Sequence, residues 1–176
     1  MSLRLLLLRH GETAWNRERR HQGRTDTPLS AEGLVQAEAA ARELKEHTFA
    51  AVYASPLRRA RDTAAVIAAL HGLEVETDPA FQELGFGRWE GLTLDEARTR
   101  DAALYEGWIN TPHLVSPPEG ESLVQARETD VEIPLLLGEL VGEQLRDAIL
   151  EALTFEVGEG HVVRILADAE FLAFVR

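Results

Sequence analysis

The chain of 176 residues contains no cysteine. That absence excludes disulfide staples, thiol nucleophiles and cysteine-ligated metals, and it leaves packing to hold the fold. Long apolar runs are missing as well. The densest, Leu3 to Leu8, is interrupted by Arg4 and followed at once by Arg9 and His10. Such a run is far short of a membrane span and a poor signal-peptide core, so it reads as a buried strand of a cytoplasmic protein with no membrane partner. Internal repeats and low-complexity linkers are absent too. What remains, 45% hydrophobic and 27% charged residues, is the profile of a soluble globular chain, read here as a single domain over 1–176.

Positive charge is scarce overall, with a formal net charge of -12, which excludes nucleic acid as the expected partner. The deficit is uneven. Residues 1–61 hold 11 Lys+Arg against 7 Asp+Glu, so the first third is basic and the rest strongly acidic. Ten of those 11 cations are arginines, the side chain suited to forked recognition of phosphate or carboxylate.

The order of elements predicts an α/β fold. Leu3–Leu8 lacks alternation, as in a central strand covered on both faces. Ser30 reads as the N-cap of a helix to about His47, with Leu34, Ala37, Ala41 and Leu44 on one stripe. A short strand at Ala50–Ala54, an amphipathic helix at Leu57–Leu70 and a strand at Leu73–Thr77 follow. Alternation of this kind gives a largely parallel sheet, with ligands beyond the carboxyl ends of its strands. Capping boxes at Thr93 and Ser122 predict further helices, separated by a proline-rich loop over Thr111–Gly120. Pro134 is read as opening another helix, and Phe155–Val157 with Val162–Leu166 as a closing hairpin.

Chemistry concentrates where two strands end. The first delivers Arg9-His10-Gly11-Glu12-Thr13 with Asn16, and the second leads through Ser55-Pro56-Leu57 to Arg58, Arg59 and Arg61. A histidine carried into a turn beside an arginine is placed to meet an anion at the sheet edge. Read alone, Arg59 is a helix surface residue like its neighbours, and Glu83 is one acid among Glu74, Glu76 and Glu90. Trp15 and Trp89 read as packing residues.

Five segments in order carry a resemblance. They are Arg9–Thr13 with Asn16; Gln22-Gly23-Arg24-Thr25-Asp26-Thr27-Pro28-Leu29-Ser30 with Gly33, Gln36 and Ala37; Ser55–Leu57 with Arg59, Ala60, Thr63 and Ala64; Glu83–Gly87 with Trp89–Gly91; and Pro118–Ser122. Together they resemble the histidine phosphatase superfamily, the phosphoglycerate-mutase-like proteins, and among these the short broad-specificity or alpha-ribazole phosphatase type. The resemblance implies a three-layer sandwich with a mostly parallel central sheet flanked by helices. It also implies phosphomonoester hydrolysis through a phosphohistidine, with no cofactor and no metal, on a small phosphorylated metabolite, and it allows a homodimer.

By the same resemblance His10 is the nucleophile and Glu83 the proton donor, while Arg9, Asn16 and Arg59 bind the phosphoryl oxygens. The likeness breaks at one place. The family carries a second catalytic histidine in a late His-Gly pair, and no such pair occurs here beyond Arg127. His113 falls at the wrong point in the order, and His161 sits where terminal strands are expected. The chain from Arg127 to Pro134 is short by a unit of roughly 30 residues, the usual size of a strand with its crossover. A deletion, a degenerate copy or a sequence lacking a stretch each accounts for it. The alternatives to hydrolysis are therefore a catalytically impaired relative that binds phosphorylated ligands, or a mutase.

Overall fold

The computed structural model describes residues 5–130 and 171–175. Strand β1 (Leu5–Arg9) is followed by a four-residue helix α1 (Ala14–Arg17), helix α2 (Ala31–Leu44), strand β2 (Ala51–Ala54), helix α3 (Arg58–His71) and strand β3 (Val75–Thr77). Helices α4 (Leu94–Arg100), α5 (Ala102–Asn110) and α6 (Leu123–Asp130) come next, and strand β4 (Phe171–Val175) closes the described chain.

Local chemistry sets the boundaries. The Ser30 hydroxyl accepts from the Gly33 amide at 3.0 Å and so caps α2. At the start of α3 no side chain of Leu57 can cap, and the Arg58 amide instead donates to Asp26 at 2.7 Å. Gly72 ends α3 in the left-handed region at φ 66°, a conformation natural to glycine. The capping boxes expected at Thr93 and Ser122 both form.

The sheet runs β1-β4-β2-β3. Strands β2 and β3 pair in parallel, while β4 pairs antiparallel with both β1 and β2. Three of the four described strands therefore share one direction, as βαβ crossovers through α2 and α3 require. The position of β4 differs from expectation. The sequence reading has no strand at 171–175 and leaves a central strand missing. In the structure the apolar segment Phe-Leu-Ala-Phe-Val fills the slot between β1 and β2 in the opposite sense, giving both strands a hydrogen-bonded neighbour. The helix expected from Pro134 and the hairpin of Phe155–Val157 and Val162–Leu166 lie outside the described residues.

Strand β2 alternates as a two-faced strand must. Val52 and Ala54 join Ala41, Phe49, Ala60, Ala64 and Ile67 in the core beneath α2 and α3. Tyr53 points the other way and stacks on Phe81, with ring centroids 6.4 Å apart, and α6 packs on the turn that carries Phe81. A second cluster of Leu84, Phe86, Trp89, Ala97, Tyr105 and Trp108 holds the segment after β3 together. No described helix is long and apolar enough to cross a membrane.

One close approach fixes the site. The start of α2 presses on the end of β1 so tightly that a Cβ on Gly11 would meet the Gly33 carbonyl, and one on Gly33 the Glu12 backbone. The hydrogen bond from the Ser30 amide to the Glu12 carbonyl, at 2.8 Å, completes the clamp.

Candidate active site

His10 emerges from β1 at the carboxyl end of the sheet and is 8% exposed. Its Nδ1 lies 2.6 Å from the Gly11 carbonyl, which can only accept, so the proton sits on Nδ1 and the Nε2 lone pair is left available. Burial pushes the ring pKa down to about 4, against the partial support of that carbonyl bond, and the cations Arg59 and Arg9 add to the fall. The imidazole is therefore neutral at ordinary pH, with one defined tautomer. The loop below it is anchored by the Gly11 amide, which donates to the Thr63 hydroxyl at 3.0 Å.

Asn16 does more than supply a donor. It forms the capping box of α1, where its Oδ1 accepts from the Thr13 amide at 2.9 Å and its own backbone amide donates to the Thr13 hydroxyl at 3.1 Å. With the carbonyl end committed, the Nδ2 donors are what remains for a ligand.

Hydrogen-bond polarity also assigns Gln22. The Thr13 hydroxyl accepts from the Asn16 backbone amide, and the Thr27 hydroxyl accepts from the Arg59 guanidinium at 3.3 Å, so both hydroxyl protons are free to go onward. Their shortest acceptor is the same atom, Gln22 Oε1, at 2.7 and 2.6 Å; Asn16 Oδ1 stands farther from the Thr13 hydroxyl, at 3.0 Å. The donors at either end of this chain cannot reverse, so the amide orientation of Gln22 follows from the network and its Nε2 faces away from the two threonines. Sequence alone gives Gln22 a place in the second motif and no role. The signal was a buried position, 5% exposed, between hydroxyl residues.

Arg59 and Glu83 are brought together. Arg59 is fully buried, and its Nη2 lies 3.1 Å from Glu83 Oε2, itself on a side chain only 9% exposed. The same guanidinium donates to the carbonyls of Gly23 at 2.7 Å and Thr25 at 2.8 Å. Arg59 thus straps the 22–27 loop to the end of β2. Glu90 and Glu121 have loop-holding duties as well. Glu90 accepts from the Arg24 amide at 3.1 Å, the Thr25 hydroxyl at 2.5 Å and the Phe86 amide at 3.0 Å. Glu121 takes the Gly85 amide at 2.9 Å and pairs with Arg24 at 2.7 Å.

A pocket of about 230 Å3 opens beside these groups, lined among others by Arg9, Asn16, Gln22 and Glu83. Three of the five residues expected at the site thus share one wall, joined by Gln22. The buried His10 and Arg59 are not on that wall, though both cations, Arg59 and Arg9, act on the His10 ring. Arg9 is exposed and makes no ion pair among the described residues. His113 is exposed in the proline-rich loop, and His161 lies outside the described residues. Trp89 is fully buried and donates to Asp101 at 2.8 Å, a packing residue as expected. Among the described residues no group of three or more His, Asp or Glu is arranged to hold a metal ion.

Comparison with known proteins matches residues 5–129 to the histidine phosphatase superfamily (branch 1). A bifunctional protein of Mycobacterium tuberculosis is 45% identical over 120 residues, which are 68% of this chain and 33% of that protein. Phosphoserine phosphatase 1 of Hydrogenobacter thermophilus is 36% identical over 121 residues, 69% of this chain and 57% of that one. Among solved structures, a mycobacterial glucosyl-3-phosphoglycerate phosphatase in complex with VO3 superposes with a TM-score of 0.73 at 34% identity, covering 80% of this chain and 67% of the other. The chain therefore spans between a third and somewhat over half of these two sequence relatives.

Proposed function

The chain belongs to branch 1 of the histidine phosphatase superfamily, and on that premise we propose that it hydrolyses a small phosphomonoester through a phosphohistidine at His10. The observation that carries this reading is the Nδ1 bond to the Gly11 carbonyl on a ring whose pKa is lowered to about 4. A nucleophile must be unprotonated at the attacking atom, and Nε2 meets that condition at any ordinary pH.

In the proposed cycle Nε2 of His10 attacks phosphorus, the N–P bond forms and the P–O bond to the leaving group breaks. Arg9, with the amide donors of Asn16 and Gln22, holds the phosphoryl oxygens as charge spreads over them. Glu83, when protonated, gives its proton to the departing oxygen. As a carboxylate it then takes a proton from the water that attacks the phosphohistidine, which releases inorganic phosphate and restores both side chains. Arg59 reaches the same oxygens by exchanging its Glu83 contact for the ligand, which couples phosphate binding to release of the acid. Charge compensation comes from arginines, so no metal takes part in this scheme. The Hydrogenobacter relative and the mycobacterial solved structure are named as phosphatases, which supports hydrolysis. A Yersinia relative 35% identical over 123 residues is named a probable phosphoglycerate mutase, which keeps phosphoryl return to substrate as the alternative.

A second reading has its own observation. Beyond Arg127 the sequence has no His-Gly pair, and the family match ends at residue 129; on this reading the chain binds phosphorylated ligands without turning them over. Hydrolysis of p-nitrophenyl phosphate in the presence of chelator separates the two. Turnover abolished by His10→Ala supports the enzyme, whereas phosphate binding without turnover supports the second reading.

A further inference from the structure

The pocket does not end at the phosphoryl donors. Its wall continues through Arg19, Arg20, His21, Phe86 and Leu94. The two adjacent arginines are in different states. Arg20 is already neutralised, with Glu18 at 2.6 Å and Glu96 at 3.2 Å, and it also donates to the Gly91 carbonyl at 2.7 Å. Arg19 makes no ion pair or side-chain hydrogen bond among the described residues, and it is exposed at the rim.

The backbone that carries Arg19 is unusual. Its φ is 54°, in the left-handed region, where the Cβ of any residue with a side chain is crowded by the following carbonyl. The turn is over-determined on both sides. The Arg19 amide donates to the Asn16 carbonyl at 3.1 Å, the Arg20 amide to the Trp15 carbonyl at 2.9 Å, and the Leu94 amide to the Arg19 carbonyl at 3.1 Å. A backbone held this firmly fixes where the side chain of this uncompensated cation starts, on the pocket wall that also carries Arg9, Asn16 and Gln22. Glycine would suit the turn better, and the sequence keeps an arginine there.

We propose that Arg19 is a specificity-determining residue that reads a second anionic group, a carboxylate or another phosphate, on the leaving-group side of the substrate. The inference rests on the phosphomonoester reading of the same pocket and narrows it to phosphorylated acids and bisphosphates. The small pocket volume, about 230 Å3, suits a phosphoryl group joined to a few-atom acid rather than a large ligand. The unbalanced charges on the wall, Arg9 and Arg19, match a ligand with an anion at each end.

The test compares three ligands on the same two-carbon frame: phosphoglycolate, ethylene glycol bisphosphate, and ethyl phosphate, which lacks the second anion. Titration calorimetry measures binding, and kcat/KM is measured alongside. Wild-type protein is expected to bind one or both doubly anionic ligands about tenfold more tightly than ethyl phosphate or better. Arg19→Gln should shrink that preference to less than about threefold, and Arg19→Lys should keep part of it. Arg19→Gly should lose the preference while its melting temperature stays level or rises, because the turn is relieved of strain. Equal binding of all three ligands by wild type overturns the proposal, and so does a preference that survives Arg19→Gln. Which doubly anionic ligand is favoured identifies the second group. Absence of turnover for every ligand, with the calorimetric preference intact, contradicts hydrolysis and leaves the recognition role standing.

Discussion

The Arg59 guanidinium and the Glu83 carboxylate form an ion pair at 3.1 Å, with side chains 0% and 9% exposed. A buried pair of this kind does little for net stability, yet removal of one partner is costly because the other charge stays buried. Glu83→Ala should therefore lower stability by about 3 kcal/mol, and Glu83→Gln by clearly less, since the amide still accepts from the guanidinium. Chemical denaturation of the two variants measures the difference. Small losses in both variants would mean that Arg59 is sufficiently held by its other contacts, and equal losses of about 3 kcal/mol that the amide does not replace the carboxylate.

Glu83 also separates substrates by leaving group. Nitrophenolate departs readily without a proton, whereas an alkoxide needs one. Glu83→Gln should cost about 100-fold or more in kcat/KM, which reads phosphoenzyme formation, with an alkyl phosphate and much less with p-nitrophenyl phosphate, while loss of the base in the second step lowers kcat on both. Equal losses of kcat/KM on both substrates contradict a proton-donor role and leave Glu83 as a holder of Arg59.

The neutrality of His10 has a consequence for stability against pH. In the unfolded chain the ring binds a proton below about 6.5, while in the folded protein it resists protonation down to about 4. Between those values the unfolded state holds more protons, so stability falls as the medium becomes more acid across that window, by about 3 kcal/mol in total at roughly 1.4 kcal/mol per pH unit. His10→Gln should flatten this part of the profile in denaturation midpoints followed from neutral to acid pH. An unchanged slope assigns the acid sensitivity to other groups.

Gln22 tests the polarity of the hydrogen-bond chain. Gln22→Glu keeps an acceptor for Thr13 and Thr27 but turns a carboxylate oxygen toward the pocket in place of the amide donors. Affinity for inorganic phosphate should fall about tenfold or more, and stability should fall too, because a carboxylate replaces a neutral amide at a position only 5% exposed. Isothermal titration with phosphate reads the effect, and undiminished affinity would show that Nε2 does not face the anion.

The site and the sheet were not equally legible in the sequence. The capping signals at Ser30, Thr93 and Ser122 and the strand–helix alternation are local, and each appears close to where the spacing put it. Helix α1 escaped because four residues give no periodicity, and α5 because its nine residues, with Gly107 among them, bury little more than Tyr105 and Trp108. The role of Gln22 depends on the direction of the hydrogen bonds that reach it from Thr13 and Thr27, and on the one that Arg59 donates to Thr27 from a distant helix. No spacing encodes that. Strand β4 was invisible for another reason: Phe171–Val175 is simply apolar, and only the open slot between β1 and β2 makes it a central strand.

The central claim is that His10 carries the phosphoryl group on Nε2. The direct measurement is reaction with p-nitrophenyl phosphate in chelator, an alkaline denaturing quench that preserves phosphohistidine, and peptide mapping of the label. The account predicts one phosphorylated peptide, the one containing His10, modified at Nε2 because Nδ1 is held by Gly11, and no label in His10→Ala. Turnover without any label on His10, or a label at another residue, would contradict it.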